Sequence, residues 1–462
     1  MSLLISVAML GSVAGCGASS CETKEAAEET GEDSQEPSFG AAKLIPDVLI
    51  DQLGYESLSE KAIVFRGKEL PESFGIYDDK GNPVYTGEIF KSVYNSELDE
   101  YDSLGFFNDY DREGEFYAGC EGAGRSFTFV IKNDIYGDIF KSACRSCYSE
   151  GTKDAVSLCR IAENLLLASE LNPGAFLDST GNLGSSNGIP DVLDEVSHIA
   201  EELLKLQDME SGGIYGEEFV SAPEEGVLDE NGYYSPVSAE ATIAFAGTMA
   251  MFASEYAGYD EGFSAACLDA AKRAFSCFEG SGEGNENTER FRAASYLYKA
   301  TGDAAYSLVM DEYFKREDFG DIFNSDEAIF MGAVNYLTIN RSVDIDICRM
   351  VMKNLMKRAE DIARRSSESP YLVSRIPQDG DFLDMLLDMR CLTITDHIIY
   401  NHEYTTIIEN HVHFLGGMNP EAVNYITADT ERNFSSLGAD SLLDDPELTS
   451  LFVFMLSILE NK

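Results

Sequence analysis

The sequence contains no tryptophan. Any flat aromatic platform for a ligand must be built from its 23 Tyr and 27 Phe, whose rings are smaller than an indole. Positive charge is also short: 33 Lys and Arg stand against 82 Asp and Glu, a formal net charge of -49. A chain this acidic repels nucleic acid and anionic lipid, so both are poor partners for its folded surface. Histidine is scarce, and His411 and His413 lie two apart on one helical stretch, where they diverge and make no metal pair. Asp and Glu are abundant, yet no EF-hand-like spacing supports a structural Ca2+, so neither metal nor cofactor is expected. Cys144-x-x-Cys147 has no second pair at zinc spacing and no histidine nearby, which points to core or loop thiols. Beyond Met1–Ala14 no run is long and apolar enough to span a bilayer.

Met1–Ala14 itself is apolar and closes on Val13-Ala14-Gly15-Cys16. That is the small-residue pattern of a bacterial lipoprotein signal, in which Cys16 becomes the lipidated new terminus. Residues 17–42 are small, polar and acidic, as a disordered tether is. The expectation is an extracellular lipoprotein that meets the membrane through its lipid anchor only.

A chain of 462 residues with 44% hydrophobic composition has room for two or three domains with large cores. Over 43–135 the pattern is short strands broken by turns, such as Lys61–Phe65, Ser73–Tyr77, Pro83–Tyr85 and Arg125–Ile131. Asp78-Asp-Lys-Gly-Asn82 joins two of them as a hairpin. Strands at this spacing predict a β-sandwich of immunoglobulin type. Over 136–462 the period changes to helical, at 154–170, 190–208, 237–257, 262–277, 288–301, 303–315, 325–339, 344–364, 382–400, 403–416 and 446–460. Periodicity leaves two arrangements open, a closed barrel of helix pairs and an open solenoid.

One stretch organises this half. Asn187-Gly-Ile-Pro-Asp-Val-Leu-Asp-Glu195 is a turn followed by proline at a first helical position, with acids on the positive end of the helix dipole. Val192, Val196, Ile199, Leu203 and Leu206 then recur on one face, and Ser211-Gly-Gly-Ile-Tyr215 follows. The string NGIPDVLDE…LLKLQD…GGIY resembles the family 9 glycoside hydrolases, cellulase-type enzymes with an N-terminal immunoglobulin-like domain. IDQLGY…FGIYDDKGNPVYTG…GEFYA…RSFTFVI is similar to that N-terminal domain. Tyr404–Pro420, YTTIIENHVHFLGGMNP, resembles the family's helix ending in His-Tyr-Leu-Leu-Gly-Arg-Asn-Pro, with Met418 in place of the arginine. The resemblance implies an immunoglobulin-like β-sandwich followed by an all-α (α/α)6 barrel.

It also implies chemistry. Inverting hydrolysis of a glycosidic bond needs one carboxyl to protonate the leaving oxygen and a second, roughly 6.5–9.5 Å away, to activate water. The family's base lies in Gly-Gly-Trp-x-Asp-Ala-Gly-Asp before the first barrel helix, and that motif is absent here. Counting back from Leu165–Ala168 puts Glu150 opposite the base, with Asp154 a second candidate that fits more naturally as an N-terminal helix charge. Glu447, in Asp444-Asp-Pro-Glu-Leu, falls opposite the family's acid. His413 matches the family's helix end, and Tyr215, Tyr233 and Tyr234 sit in segments that reach the barrel mouth, so these four are the candidate substrate-binding residues. Arg290 and Arg292 read as packing and salt-bridge residues. The implied activity is hydrolysis of a β-glucan or cellulose-like polysaccharide outside the cell. The alternative is a non-catalytic surface lipoprotein that binds an oligosaccharide or a protein partner.

Overall fold

The structure, a computed structural model, describes residues 39–96, 99–147, 154–178, 186–219, 226–229, 232–282, 287–378, 380–427 and 441–460. Cys16 and Glu150 lie outside the described residues.

The N-terminal part is a sandwich of β1 (Val48–Leu49), β2 (Ala62–Gly67), β3 (Ser73–Asp78), β4 (Pro83–Asn95), β5 (Glu100–Phe106), β6 (Gly114–Cys120), β7 (Gly124–Arg125) and β8 (Phe129–Ile131). Their order is β1-β2-β5-β4-β3-β6-β7, with β8 on β6. Strand β4 serves both layers: its first half pairs with β3 and its second with β5. The change of partner coincides with a register shift between Phe90 and Val93, where Lys91 takes a left-handed φ of 51°. Alternation along β2 divides the layers' duties. Ile63 and Phe65 fill the sandwich core, while Ala62 and Val64 join the core of the helical part.

The helical part begins with α1 (Ile135–Cys147), α2 (Ala155–Leu171) and α3 (Asp191–Lys205). Short strands follow: β9 (Ile214–Tyr215), β10 (Glu218–Phe219), β11 (Val227–Asp229), β12 (Gly232–Tyr234) and β13 (Val237–Ser238). Then come α4 (Ala239–Tyr256), α5 (Glu261–Ser281), α6 (Thr288–Thr301), α7 (Ala304–Phe314), α8 (Phe319–Ser325), α9 (Glu327–Leu337) and α10 (Ile345–Glu368). The set ends with α11 (Leu383–Ile399), α12 (His402–Leu415) and α13 (Pro446–Ser457). None of these helices is long and apolar enough to cross a membrane.

Helices α2, α4, α6, α9, α11 and α13 are buried on nearly every side and form an inner ring, in which α13 packs back on α2. The ring closes, which removes the open solenoid. Amphipathic α1, α3, α5, α7, α10 and α12 cover it from outside.

Three details differ from expectation. Helix α1 is an additional element: Ile135, Ile139, Phe140, Ala143 and Cys147 line its inner face, and it covers α13. Both Cys144 and Cys147 are buried thiols there. Helix α3 starts one residue late, so Pro190 is its cap and Asp191 its first residue. The segment between α3 and α4 is not plain loop but two small sheets, β10-β12-β11 and β13-β9.

The sandwich is seated on the end of α12. Gly416 accepts a hydrogen bond from the Gln52 backbone N–H at 3.0 Å, and Gln52 Nε2 donates to the Ala422 carbonyl at 2.7 Å. A side chain at Gly416 would stand 2.1 Å from Asp51 Oδ1, and one at Gly417 2.5 Å from Gln52 Nε2. The Gly-Gly pair is what lets the two parts approach this closely.

Candidate active site

The inner helices bring their N-terminal turns to one end of the ring. There Arg160, Glu163 and Asn164 of α2, Glu289 and Arg292 of α6, Glu327 and Met331 of α9, Leu387 and Arg390 of α11, and Glu447 and Leu451 of α13 enclose a cavity of about 190 Å³. Each helix contributes residues three or four apart, so one face of each helix looks into the cavity. Glu289, Glu327 and Glu447 also gain from lying in the first turns of their helices, at the positive ends.

The cavity is lined by carboxylates and guanidiniums. Buried Glu163 uses both oxygens, accepting from Arg292 Nη1 at 2.6 Å and from the Tyr296 hydroxyl at 2.9 Å. Arg292 Nη2 also lies 2.6 Å from Glu289 Oε2. Glu327 likewise fills both oxygens, one with Arg390 Nη2 at 2.6 Å and the other with Arg358. Arg390 Nη1 donates to Asn164 Oδ1 at 3.1 Å, and Asn164 donates on to Ser450 at 2.9 Å. Burial alone would raise the Glu327 carboxyl, but Arg390 and Arg358 together hold it below the ordinary range.

Glu447 and Glu289 behave differently. Glu447 is in the first turn of α13, whose end is capped by Asp445 accepting the Glu447 and Leu448 N–H groups. Its side chain is 23% exposed, and Arg160 Nη1 donates to its Oε1 at 3.2 Å. Burial raises the Glu447 carboxyl above its ordinary range, and Arg160 offsets only part of the rise. Glu289 is raised too, with burial outweighing Arg292.

A second, larger cavity of about 480 Å³ shares Glu327 and Leu387 with the first, so the two adjoin between α9 and α11. Its far wall holds Arg365 and Arg375, both paired to buried Asp388 at 3.0–3.2 Å.

Of the candidates expected from the sequence, the structure brings Glu447 to the cavity. Glu150 is outside the described residues, and neighbouring Asp154 caps α2 by accepting the Ser157 N–H at 2.8 Å. His413 is a correction: it lines neither cavity and is fully buried under the sandwich. Its Nδ1 meets Asp51 Oδ2 at 2.8 Å, its Nε2 meets the Glu60 carbonyl at 3.3 Å, and its ring packs on Tyr55. It joins the two domains. Tyr215 and Tyr234 are corrected likewise, because they are buried and stacked on each other at 4.9 Å. Tyr233 is half-buried on β12 and also lines neither cavity. The β9–β10 segment does reach the right end of the ring, since the Ala155 N–H donates to the Gly216 carbonyl at 2.8 Å.

Sequence reasoning missed Glu163, Glu289 and Glu327. Their signal was acids on helices of the inner ring, a place where an unpaired charge is costly. The two arginines expected to form salt bridges do so, Arg290 with Glu279 and Glu312 and Arg292 with Glu163 and Glu289, and Arg292 also lines the cavity.

Residues 159–435 match the family model described as glycosyl hydrolase family 9, more than half of the chain. The chain belongs to glycosyl hydrolase family 9. Residues 45–125 match the model described as a cellulase N-terminal ig-like domain. Endoglucanase D of Acetivibrio thermocellus is 22% identical over 377 residues, covering 65% of this chain and 59% of that protein's length. A cellodextrinase of Butyrivibrio fibrisolvens is 22% identical over 483 residues, covering 84% of this chain and 86% of the relative. A xyloglucan-specific endo-beta-1,4-glucanase of Bacteroides ovatus is 25% identical, covering 59% of this chain and 57% of the relative. Among solved structures, a metagenome-derived family 9 endoglucanase superimposes with a TM-score of 0.76 at 19% identity, over 90% of this chain and 99% of that one. A thermostable endoglucanase from Alicyclobacillus acidocaldarius gives 0.70 at 17% identity, over 90% and 100%. The matched stretch of the family model contains neither Glu150 nor Glu447.

Proposed function

We propose that this family 9 protein hydrolyses β-1,4-linked glucan or a related polysaccharide with inversion, using Glu447 as the general acid. The observation that carries the reading is the state of Glu447. It is a half-buried carboxyl on the wall of the ring-end cavity, and burial raises its pKa from the ordinary value. A protonated Glu447 gives its proton to the leaving glycosidic oxygen as the bond to the anomeric carbon breaks, and water supplies the hydroxyl to that carbon. Sugar hydroxyls meet the planar carboxylates and guanidiniums of the two adjoining cavities, which bind them by paired hydrogen bonds. Among the described residues lining the two cavities there is no Tyr or Phe, so what these residues offer a sugar is hydrogen bonding. The names of the relatives, an endoglucanase, a cellodextrinase and a xyloglucanase, support a β-glucan substrate.

Reducing-sugar release from mixed-linkage β-glucan, carboxymethylcellulose and xyloglucan tests this, comparing the protein with Glu447→Gln. Release by the parent protein and its loss in Glu447→Gln are expected. Equal release by both proteins removes Glu447 from the role.

Arg160 favours a second reading. A guanidinium 3.2 Å from Glu447 stabilises the carboxylate and opposes proton donation. In that reading the protein is a surface binder of oligosaccharide, and calorimetry detects oligosaccharide binding with no release from any glucan. Either activity is placed outside the cell by lipidation at Cys16. Incorporation of labelled palmitate that is lost in Cys16→Ser is the corresponding check.

A further inference from the structure

Four carboxyl groups face the smaller cavity, and their partners separate them into two kinds. Glu163 and Glu327 are each saturated, with both oxygens engaged by Arg or Tyr donors. Glu289 and Glu447 each meet one guanidinium through one oxygen: Glu289 Oε2 faces Arg292, and Glu447 Oε1 faces Arg160. Among the described residues the remaining oxygens, Glu289 Oε1 and Glu447 Oε2, have no partner, and the Glu289 side chain is 31% exposed. The two come from different sides of the ring, from the first turns of α6 and α13. Helix α2 lies between them: its Arg160 reaches Glu447, and its Glu163 holds the Arg292 that faces Glu289.

We infer that Glu289 is the second carboxyl of the hydrolytic reaction, the base that takes a proton from the attacking water through its free Oε1. The inference rests on the acid role proposed for Glu447. In the step, the water oxygen bonds to the anomeric carbon and one water proton passes to Glu289. The bond from that carbon to the leaving oxygen breaks, and the proton of Glu447 goes to that oxygen. Solvent then takes the proton from Glu289 and returns one to Glu447, so the sum is one water added across the bond. Arg292, itself held by Glu163, faces the other oxygen of Glu289 as an ion pair at 2.6 Å. Burial raises the Glu289 carboxyl from its ordinary value, and Arg292 offsets part of that rise. This assignment makes the missing Gly-Gly-Trp-x-Asp-Ala-Gly-Asp motif dispensable, because the base comes from a barrel helix and not from the segment ahead of α2.

The test compares Glu289→Gln and Glu447→Gln on β-glucan and on a dinitrophenyl cellooligosaccharide, whose leaving group needs no proton. Thermal unfolding confirms that each variant is folded. Glu289→Gln is expected to lose at least a hundredfold in kcat on both substrates. Azide, as a nucleophile that needs no base, is expected to restore turnover of the dinitrophenyl substrate and yield the inverted glycosyl azide. Glu447→Gln is expected to fail on glucan while keeping most of its rate on the dinitrophenyl substrate. A folded Glu289→Gln that keeps more than a tenth of parental kcat on both substrates overturns the assignment and leaves the role of Glu447 standing. Loss in Glu289→Gln with no azide product overturns it too. A parent protein that cleaves neither substrate overturns this assignment and the acid role together.

Discussion

At the seat of the sandwich, His413 has an acceptor at each ring nitrogen, and Asp51 places one oxygen on His413 and the other on the Leu53 N–H. At the end of the ring, Glu289 and Glu447 each keep one oxygen without a partner among the described residues. The residue types are similar and the environments are both partly dry, yet one set is closed and the other open. A closed set can only hold the fold together. An open one has hydrogen-bonding capacity left for a ligand, at the expense of burying carboxyls that are incompletely paired.

Removing the acid from the open set is the harshest way to test that division. Glu447→Gln keeps the shape and the α13 cap and removes only the proton. General acid catalysis is worth roughly 10²–10⁴-fold, and kcat on glucan should fall by that factor. Stability should stay within about 0.5 kcal/mol, as for a substitution that leaves packing intact. Kinetics together with a urea titration read both quantities.

The closed set should respond in the opposite way. His413→Ala leaves Asp51 buried beneath the sandwich without its partner. Breaking such a buried pair costs about 3–5 kcal/mol, visible as a lower urea midpoint. Glucan hydrolysis by the folded fraction should be near normal, because His413 lines neither cavity. Loss of kcat at unchanged stability would return His413 to the substrate-binding role expected from the sequence.

His411, two residues away, tests the same idea through pH. It is neutral in the fold: its Nδ1 donates to the Ile407 carbonyl at 2.7 Å, and its Nε2 accepts the Ser374 N–H at 3.0 Å. Burial pushes it down to about 4, against about 6.5 unfolded. The unfolded chain therefore takes up the proton first as pH falls. The stability this group contributes is complete above pH 6.5 and is lost between there and about pH 4, a loss on the order of 3 kcal/mol. Urea titrations over that window should show a shallower pH dependence in His411→Gln than in the parent protein.

How far these residues could be foreseen depended on the range of the interaction involved. The sandwich and most helices follow from periods of two and 3.6, which are local. Ile135, Ile139, Phe140 and Ala143 carry that period as well, and α1 was missed because a short amphipathic helix right after a strand looks like a connection. Glu447 is a candidate only through the family resemblance, because its Pro-Glu setting reads equally as an ordinary helix start. His413, Tyr215 and Tyr234 were misplaced because their partners, Asp51 and Glu60 for the histidine and each other for the tyrosines, are set by tertiary packing. Glu289 shares the same difficulty: what marks it is which oxygens of Glu163 and Glu327 are already taken, and that depends on several helices at once.

Arg160 offers the smallest expected effect and bears most directly on how the open set works. Its guanidinium favours the ionised form of Glu447, while burial favours the neutral one. In Arg160→Met the favouring charge is gone, so the Glu447 pKa moves further up. The acid must be protonated to act, and the alkaline limb of the kcat profile should move to higher pH. The acidic limb, which belongs to the base, should move less. Arg160 is about half exposed, and solvent screens its charge. A pair of this kind is worth about 0.2–1 kcal/mol, so the rate at any one pH should change by no more than about fivefold. A shift of the alkaline limb to lower pH would mean that Arg160 holds Glu447 in place for proton donation, and that the ion pair belongs to the catalytic geometry instead of opposing it.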